Sequence, residues 1–348
     1  MMQAHFARAR RFAARGEHQA GIAEVNAAGM LARELGDVQR MQFAGTLLEK
    51  FGGYEFAWPL LADAGRMEKP SVLPEWDGAI LRGKTLLIKQ RIRDLGAPIR
   101  MGRLVAQAAK RAERCIVLTE PRLVPLFSRT FPGVEIRNEQ AENAIDAEND
   151  ADVVASYETL CRHLAPDERS ILGSFLPLNT DASRTADFQA RYRGVPRVGI
   201  SWRSSNTTKE LPGLDAWALL LKAFPATYVS VQYGDTASDL ETLRSVSGQN
   251  IIDDSEVDQL RDMDHFCAQL AALDAVLTIS NTAAHAAGAL GIPTFVVLGD
   301  KPTSMWPANQ STSPWYPRTA LVRKQGHDWN ETFARMRQQL GDAIPPAG

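Results

Sequence analysis

Three stretches place hydroxyl, amide and basic side chains directly behind apolar, β-branched runs, where a strand would deliver them to an anion or a sugar. The longest is ISNTAAHAAGALGIPTFVVLG, residues 279–299. Ser280, Asn281 and Thr282 end the apolar run AVLTIS and are each good helix caps. The alanine-rich segment behind them carries His285 and Gly288 until Gly291 and Pro293 stop it. A helix beginning there turns its free N–H groups and the positive end of its dipole toward whatever lies beyond the strand, which is the chemistry of an anion site. Ala283, Ala284 and Gly288 permit close approach, by a diphosphate or by the neighbouring sheet. A capped core helix with His285 satisfied inside would use the same residues. The second stretch, VGISWRSSNTTKELP at 198–212, runs from a strand containing Ser201 into a loop bearing Arg203, Ser204, Ser205, Asn206 and Lys209, suited to phosphate or sugar. The third, YVSVQYGD at 228–235, ends in Gln232 and Tyr233, an amide and an aromatic face for a base or sugar.

Other chemistries lack their residues. No GxGxxG follows a strand, and there is no Walker GxxxxGK[ST], HExxH, CxxC pair or GxSxG elbow, so hydride transfer, P-loop hydrolysis and zinc hydrolysis have no motif to stand on. Cys115, Cys161 and Cys267 are far apart and read as reduced, buried thiols. Thirty-nine basic against 41 acidic side chains leave a formal charge of -2, so no global field draws the chain to nucleic acid, and any anion must be held locally. The uncharged stretch 275–299 is long enough for a membrane span. It nevertheless contains Asn281, His285, three glycines and Pro293, and reads as strand, turn, helix and strand; the expectation is a cytoplasmic protein without a transmembrane segment.

The elements that must position these residues follow from periodicity. At 348 residues the chain exceeds one compact core of roughly 150 residues, so about two α/β domains are expected. Up to residue 61 alanine, leucine, arginine and glutamate dominate, with glycines at 16, 36, 52 and 53 breaking the run, which predicts short helices paired in hairpins of tetratricopeptide type. After Pro70 short β-branched runs alternate with helical stretches, the pattern of parallel β-α-β units. Strands are expected at 85–89, 115–118, 134–136 and 153–155, then at 198–202, 228–232, 251–253, 275–280 and 294–298. The Pro- and Gly-containing segment 173–196 is the expected linker. The division is thus a helical segment 1–68, an α/β domain 69–180 and a second α/β domain 181–348. Open parallel sheets bind ligands beyond the carboxyl ends of their strands, where all three stretches fall.

Taken together, SNTAAHAAGALGIPTFVVL from Ser280, LAALDAVLTI before it and SPWYPRTALVRKQGHDW from Ser313 resemble bacterial tetratricopeptide-containing glycosyltransferase-like proteins. These are relatives of glycosyltransferase family nine, which includes the lipopolysaccharide heptosyltransferases. AWPLL from Ala57, PEWDG from Pro74, LRGKTLLIK from Leu81 and PRVGISWRS from Pro196 keep the family's order. The resemblance implies a GT-B fold: two Rossmann-like domains with parallel sheets, the first for the acceptor and the second for a nucleotide-sugar donor, preceded by helical hairpins that could dock a protein partner. It also implies metal-independent, inverting transfer to a hydroxyl of a glycan, lipid-linked or protein acceptor, with no cofactor beyond the nucleotide-sugar substrate. Donor contacts are then expected from Ser201, Arg203, Lys209, Gln232, Tyr233, Ser280, Asn281, Thr282 and His285. One departure matters: where the family reads approximately GLGD, its aspartate serving as base, this chain has Asp94-Leu95-Gly96-Ala97. Ala97 cannot accept a proton, and Asp94 could stand in only if the loop is rebuilt. The rival reading is therefore a non-catalytic module that keeps the fold and the nucleotide pocket.

Overall fold

The computed structural model of the chain describes residues 1–91, 95–141, 144, 146–206, 208–300, 305–308, 310–326 and 328–344. It opens with four helices, α1 (Met2–Ala14), α2 (His18–Glu34), α3 (Val38–Phe51) and α4 (Tyr54–Glu68), each packed on the next. Their apolar faces meet in a core that includes Ala9, Ile22, Val25, Ala44, Leu48, Ala57 and Leu60. The helices approach closely because the contact residues are small. A Cβ at Gly45 would lie 2.6 Å from Leu61 Cγ, so only glycine fits between α3 and α4 there. The next helix, α5 (Gly96–Met101), is tied to α3 by a buried ion pair: Arg100 Nη1 donates to Glu49 Oε1 at 2.9 Å.

Nine strands of the two sheets lie where β-branched runs alternate with helices: β1 (Leu81–Lys89), β2 (Ala112–Thr119), β3 (Glu135–Asn138), β4 (Val153–Ala155), β5 (Arg197–Ser201), β6 (Thr227–Ser230), β7 (Ile251–Ile252), β8 (Ala275–Ile279) and β9 (Thr294–Leu298). The tenth, β10 (Thr319–Arg323), adds an edge. The first sheet has the order β3-β2-β1-β4 and the second β10-β9-β8-β5-β6-β7, with every pairing between named strands parallel. Every residue of β8 and β9 is buried, as parallel strands covered on both faces must be, which is why they read as unbroken apolar runs.

The chain divides into two compact units. One takes in Met1–Val124, Phe131–Phe175 and Pro302–Gln310, so that the four N-terminal helices belong with the first sheet; the other takes in Pro125–Thr130, Leu176–Lys301 and Ser311–Gly348 with the second sheet. Among the described residues no helix is long and apolar enough to cross a membrane.

Candidate functional site

The strand order of the second sheet reverses between β5 and β8: β6 and β7 extend from β5, and β9 and β10 from β8. Loops leaving such a switch point diverge and open a crevice beyond the carboxyl ends of the strands, where open α/β sheets take their ligands. Ser201 closes β5, and Ser280 and Asn281 follow β8 directly. Gln232 lies two residues past β6.

One buried network binds these ends together. Gln232, 2% exposed, accepts at Oε1 from Ser201 Oγ (3.0 Å), Trp202 N (2.9 Å) and Arg203 N (2.8 Å). Asn281 Nδ2 donates to Ser201 Oγ at 2.7 Å, while Asn281 Oδ1 accepts from Thr278 Oγ1 at 3.1 Å and from Ala284 N at 3.3 Å. The last contact caps the helix Thr282–Ala289. A buried amide or hydroxyl without a partner is costly, so this mutual satisfaction fixes the three strand ends relative to one another. Asn281, Ser201 and Gln232 therefore position the crevice as well as lining it.

Above that floor stand the charged groups. Lys209 Nζ donates to the backbone carbonyl of Ser280 and to Ser204 Oγ (3.2 Å), both neutral oxygens. Burial holds its ammonium below the ordinary lysine value of 10.5. Arg203 pairs with Asp239 at 3.1 Å and donates to the carbonyl of Asp235; Trp202 Nε1 donates to the same Asp239 carboxylate at 2.8 Å. Tyr233 reaches back to the first loop, its hydroxyl accepting from Ser205 N at 2.6 Å. Thr282 opens the helix, whose first N–H groups have no intrahelical acceptor; Asn281 takes that of Ala284. Partial positive charge from the helix terminus and the Lys209 ammonium thus meet at Ser280, an arrangement able to hold an anion.

Hydrogen bonds join seven of the nine expected residues, Ser201, Arg203, Lys209, Gln232, Tyr233, Ser280 and Asn281, directly or through Ser204 and Ser205. Thr282 adjoins them in the chain. His285 sits one turn deeper, 4% exposed, with Nδ1 3.0 Å from Tyr316 Oη. Gly288 belongs to the same packing: a Cβ there would lie 2.6 Å from Tyr316 Cγ. Asp239 and Tyr316 are absent from the sequence reading. Tyr316 lies in the SPWYP string, and the need of His285 for a partner was the signal for it; no local pattern marks Asp239. In the first unit, Asp94 lies outside the described residues. Ala97 is the second residue of α5 and is buried, so that position offers no carboxylate. Among the described residues no group of three or more His, Cys, Asp or Glu side chains could hold a metal ion.

No family model matches the chain. Among curated proteins, FlbA of Caulobacter vibrioides is 29% identical over 364 residues, a match that takes in 94% of this chain and spans 59% of the length of FlbA. Among solved structures, the ADP-heptose lipopolysaccharide heptosyltransferase II of E. coli superposes with a TM-score of 0.52 at 13% identity, covering 75% of this chain and 98% of that one. A glycosyltransferase family 9 protein from Veillonella parvula gives 0.52 at 12% identity, covering 76% and 90%. At such identities the likeness is one of fold: two parallel-sheet α/β units with N-terminal helices, the GT-B architecture of the family 9 glycosyltransferases.

Proposed function

We propose that the second unit binds a nucleotide-sugar through its diphosphate, and that the protein is a metal-independent, inverting glycosyltransferase acting on a hydroxyl acceptor. The observation that carries the reading is the convergence of Lys209 with the start of helix Thr282–Ala289 at a topological switch point. In this reading the Lys209 ammonium and the free N–H groups meet the phosphates, and their positive charge stabilises the leaving diphosphate in the transition state. Ser280 and Thr282 offer further donors. Arg203 and Tyr233 border the loop that faces the base or sugar, while Ser201, Gln232, Asn281 and His285 hold the wall. The fold shared with a heptosyltransferase supports the assignment to sugar transfer.

The decisive test is calorimetric titration of the chain with a panel of nucleoside diphosphates and their sugars. At least one should bind, and Lys209→Ala should weaken it roughly ten- to a hundredfold, the range of a lost charge-assisted hydrogen bond. Unchanged affinity in a folded variant removes Lys209 from the site.

A second reading rests on Ala97. Its methyl group stands where the family's base is expected, so a donor-binding module without transfer, presenting its N-terminal helices to a protein partner, is the alternative that this residue favours. Donor binding without turnover is its signature.

A further inference from the structure

We propose a second ligand site in the first unit: the cavity of about 190 Å³ between α4, the segment 75–77 and the helix Tyr157–Leu164 binds a compact oxyanion, a phosphoryl or carboxylate group, through Arg66 and Arg162. Asp63 and Arg66 enter from α4, Thr159, Arg162 and His163 from the facing helix, and Trp76 lies between them. The volume is below the roughly 300 Å³ at which pockets for drug-sized ligands begin, so the ligand is smaller than a nucleotide.

The charges in this cavity are unequally satisfied. Glu75 accepts from Thr159 Oγ1 and pairs with the buried guanidinium of Arg91. Asp77 Oδ1 accepts from the backbone N–H of Ala79. Asp63, with its side chain 9% exposed, is approached by three arginines: Arg33 lies 2.6 Å from Oδ2, while Arg162 and Arg66 lie 3.5 and 3.9 Å from the one oxygen Oδ1. Arg33 alone matches the charge of the carboxylate. Arg66 and Arg162 bring two more cations to an oxygen that they reach only at long distance, and exposed ion pairs of that geometry add about 0–1 kcal/mol to stability. Folding does not require this excess, and a bound oxyanion would relieve it. Guanidinium forks match the oxygens of carboxylate and phosphoryl groups, and both side chains keep their heads partly in solvent, free to turn onto a ligand. Burial, and after it the neighbouring Arg162, hold the His163 imidazole below its usual range, so at neutral pH the positive charge is that of the arginines.

Position supports the assignment independently. The strand order of the first sheet reverses between β1 and β4. Arg91 follows β1, Thr159 follows β4, and both hold Glu75 in the wall of the cavity. The cavity therefore lies beside the switch point of its own sheet, the place where open parallel sheets take ligands.

Calorimetry on the full chain at low ionic strength, with inorganic phosphate and then malonate as probes, tests the site on the wild type, on Lys209→Ala and on the double variant Arg66→Ala with Arg162→Ala. At least one probe should bind the wild type and Lys209→Ala equally well and bind the double variant at least about tenfold more weakly, as expected for lost charge-assisted contacts. Replacing both arginines with glutamine, which keeps the side-chain bulk, should weaken binding as much and leave the melting temperature unchanged. Binding by neither probe would overturn the proposal, as would full affinity in the double variants. Loss of binding in Lys209→Ala would also overturn it, because the ion would then sit in the second unit.

Discussion

Lys209 is a cation held by two neutral oxygens, and burial makes its charged form expensive before any ligand arrives. Its pKa is therefore below 10.5 in the free protein, and a bound diphosphate would raise it again. Two consequences follow for nucleoside diphosphate binding. Affinity should fall as pH rises through the depressed value, beginning at lower pH than an exposed lysine would give, because the neutral amine attracts no phosphate. In that window binding should also take up protons, so calorimetric enthalpies measured in buffers of different ionisation heat should diverge for wild type and coincide for Lys209→Ala. Ala97 permits an equally local test. It is the second residue of α5, where a carboxylate is favoured by the helix dipole. If the absence of a base there is what stops transfer, Ala97→Asp should raise turnover about 100- to 10,000-fold with a competent acceptor, the usual contribution of general base catalysis. Unchanged turnover from a folded variant would refute that account.

The elements of the candidate site are held by their ends. Gln232, just past β6, takes three donors from the end of β5 and the loop after it, and Asn281, just past β8, takes Ser201 and the helix cap. The loop that carries Lys209 thus leaves β5 in a direction fixed by two neighbouring strands. Gln232→Leu would keep the volume but remove the acceptor, leaving buried N–H groups of Trp202 and Arg203 unpaired. Urea unfolding should show a loss of about 1–3 kcal/mol for each group left unsatisfied. A variant as stable as wild type would mean that water or another side chain takes over the acceptor's place.

Across the whole molecule, the N-terminal helices and the first sheet share one compact unit, and the Glu49–Arg100 pair is part of what joins them. Both side chains are under 10% exposed, so removing one charge leaves the other buried and uncompensated. Glu49→Gln should therefore cost roughly 3–5 kcal/mol of stability. The loss should appear in the thermal transition of the first unit. Nucleoside diphosphate, added to the same variant, should still protect the second unit, since all nine candidate donor residues belong to it. Loss of donor affinity in Glu49→Gln would show that the two units depend on one another.

Periodicity and composition were enough to reveal the two parallel sheets, because strands buried on both faces must be apolar throughout; β4 and β9 fall at the residues expected, and β5 and β8 within one residue of them. The same pressure does not act on β10, an edge strand that ends in Arg323, and it has no counterpart in the sequence reading. Polar residues stationed behind apolar runs likewise marked Ser201, Gln232 and Asn281. Their mutual bonding was not legible, since it depends on β8, β5 and β6 lying side by side, and strand order is set by long-range packing rather than by local spacing. Asp239 and Tyr316, the partners of Arg203 and His285, reach the site from other elements in the same way. The arginine-lined cavity is the extreme case. Asp63 and Arg162 are 99 residues apart in the chain and meet only because α4 packs against the helix that follows β4, so tertiary structure alone decides that contact.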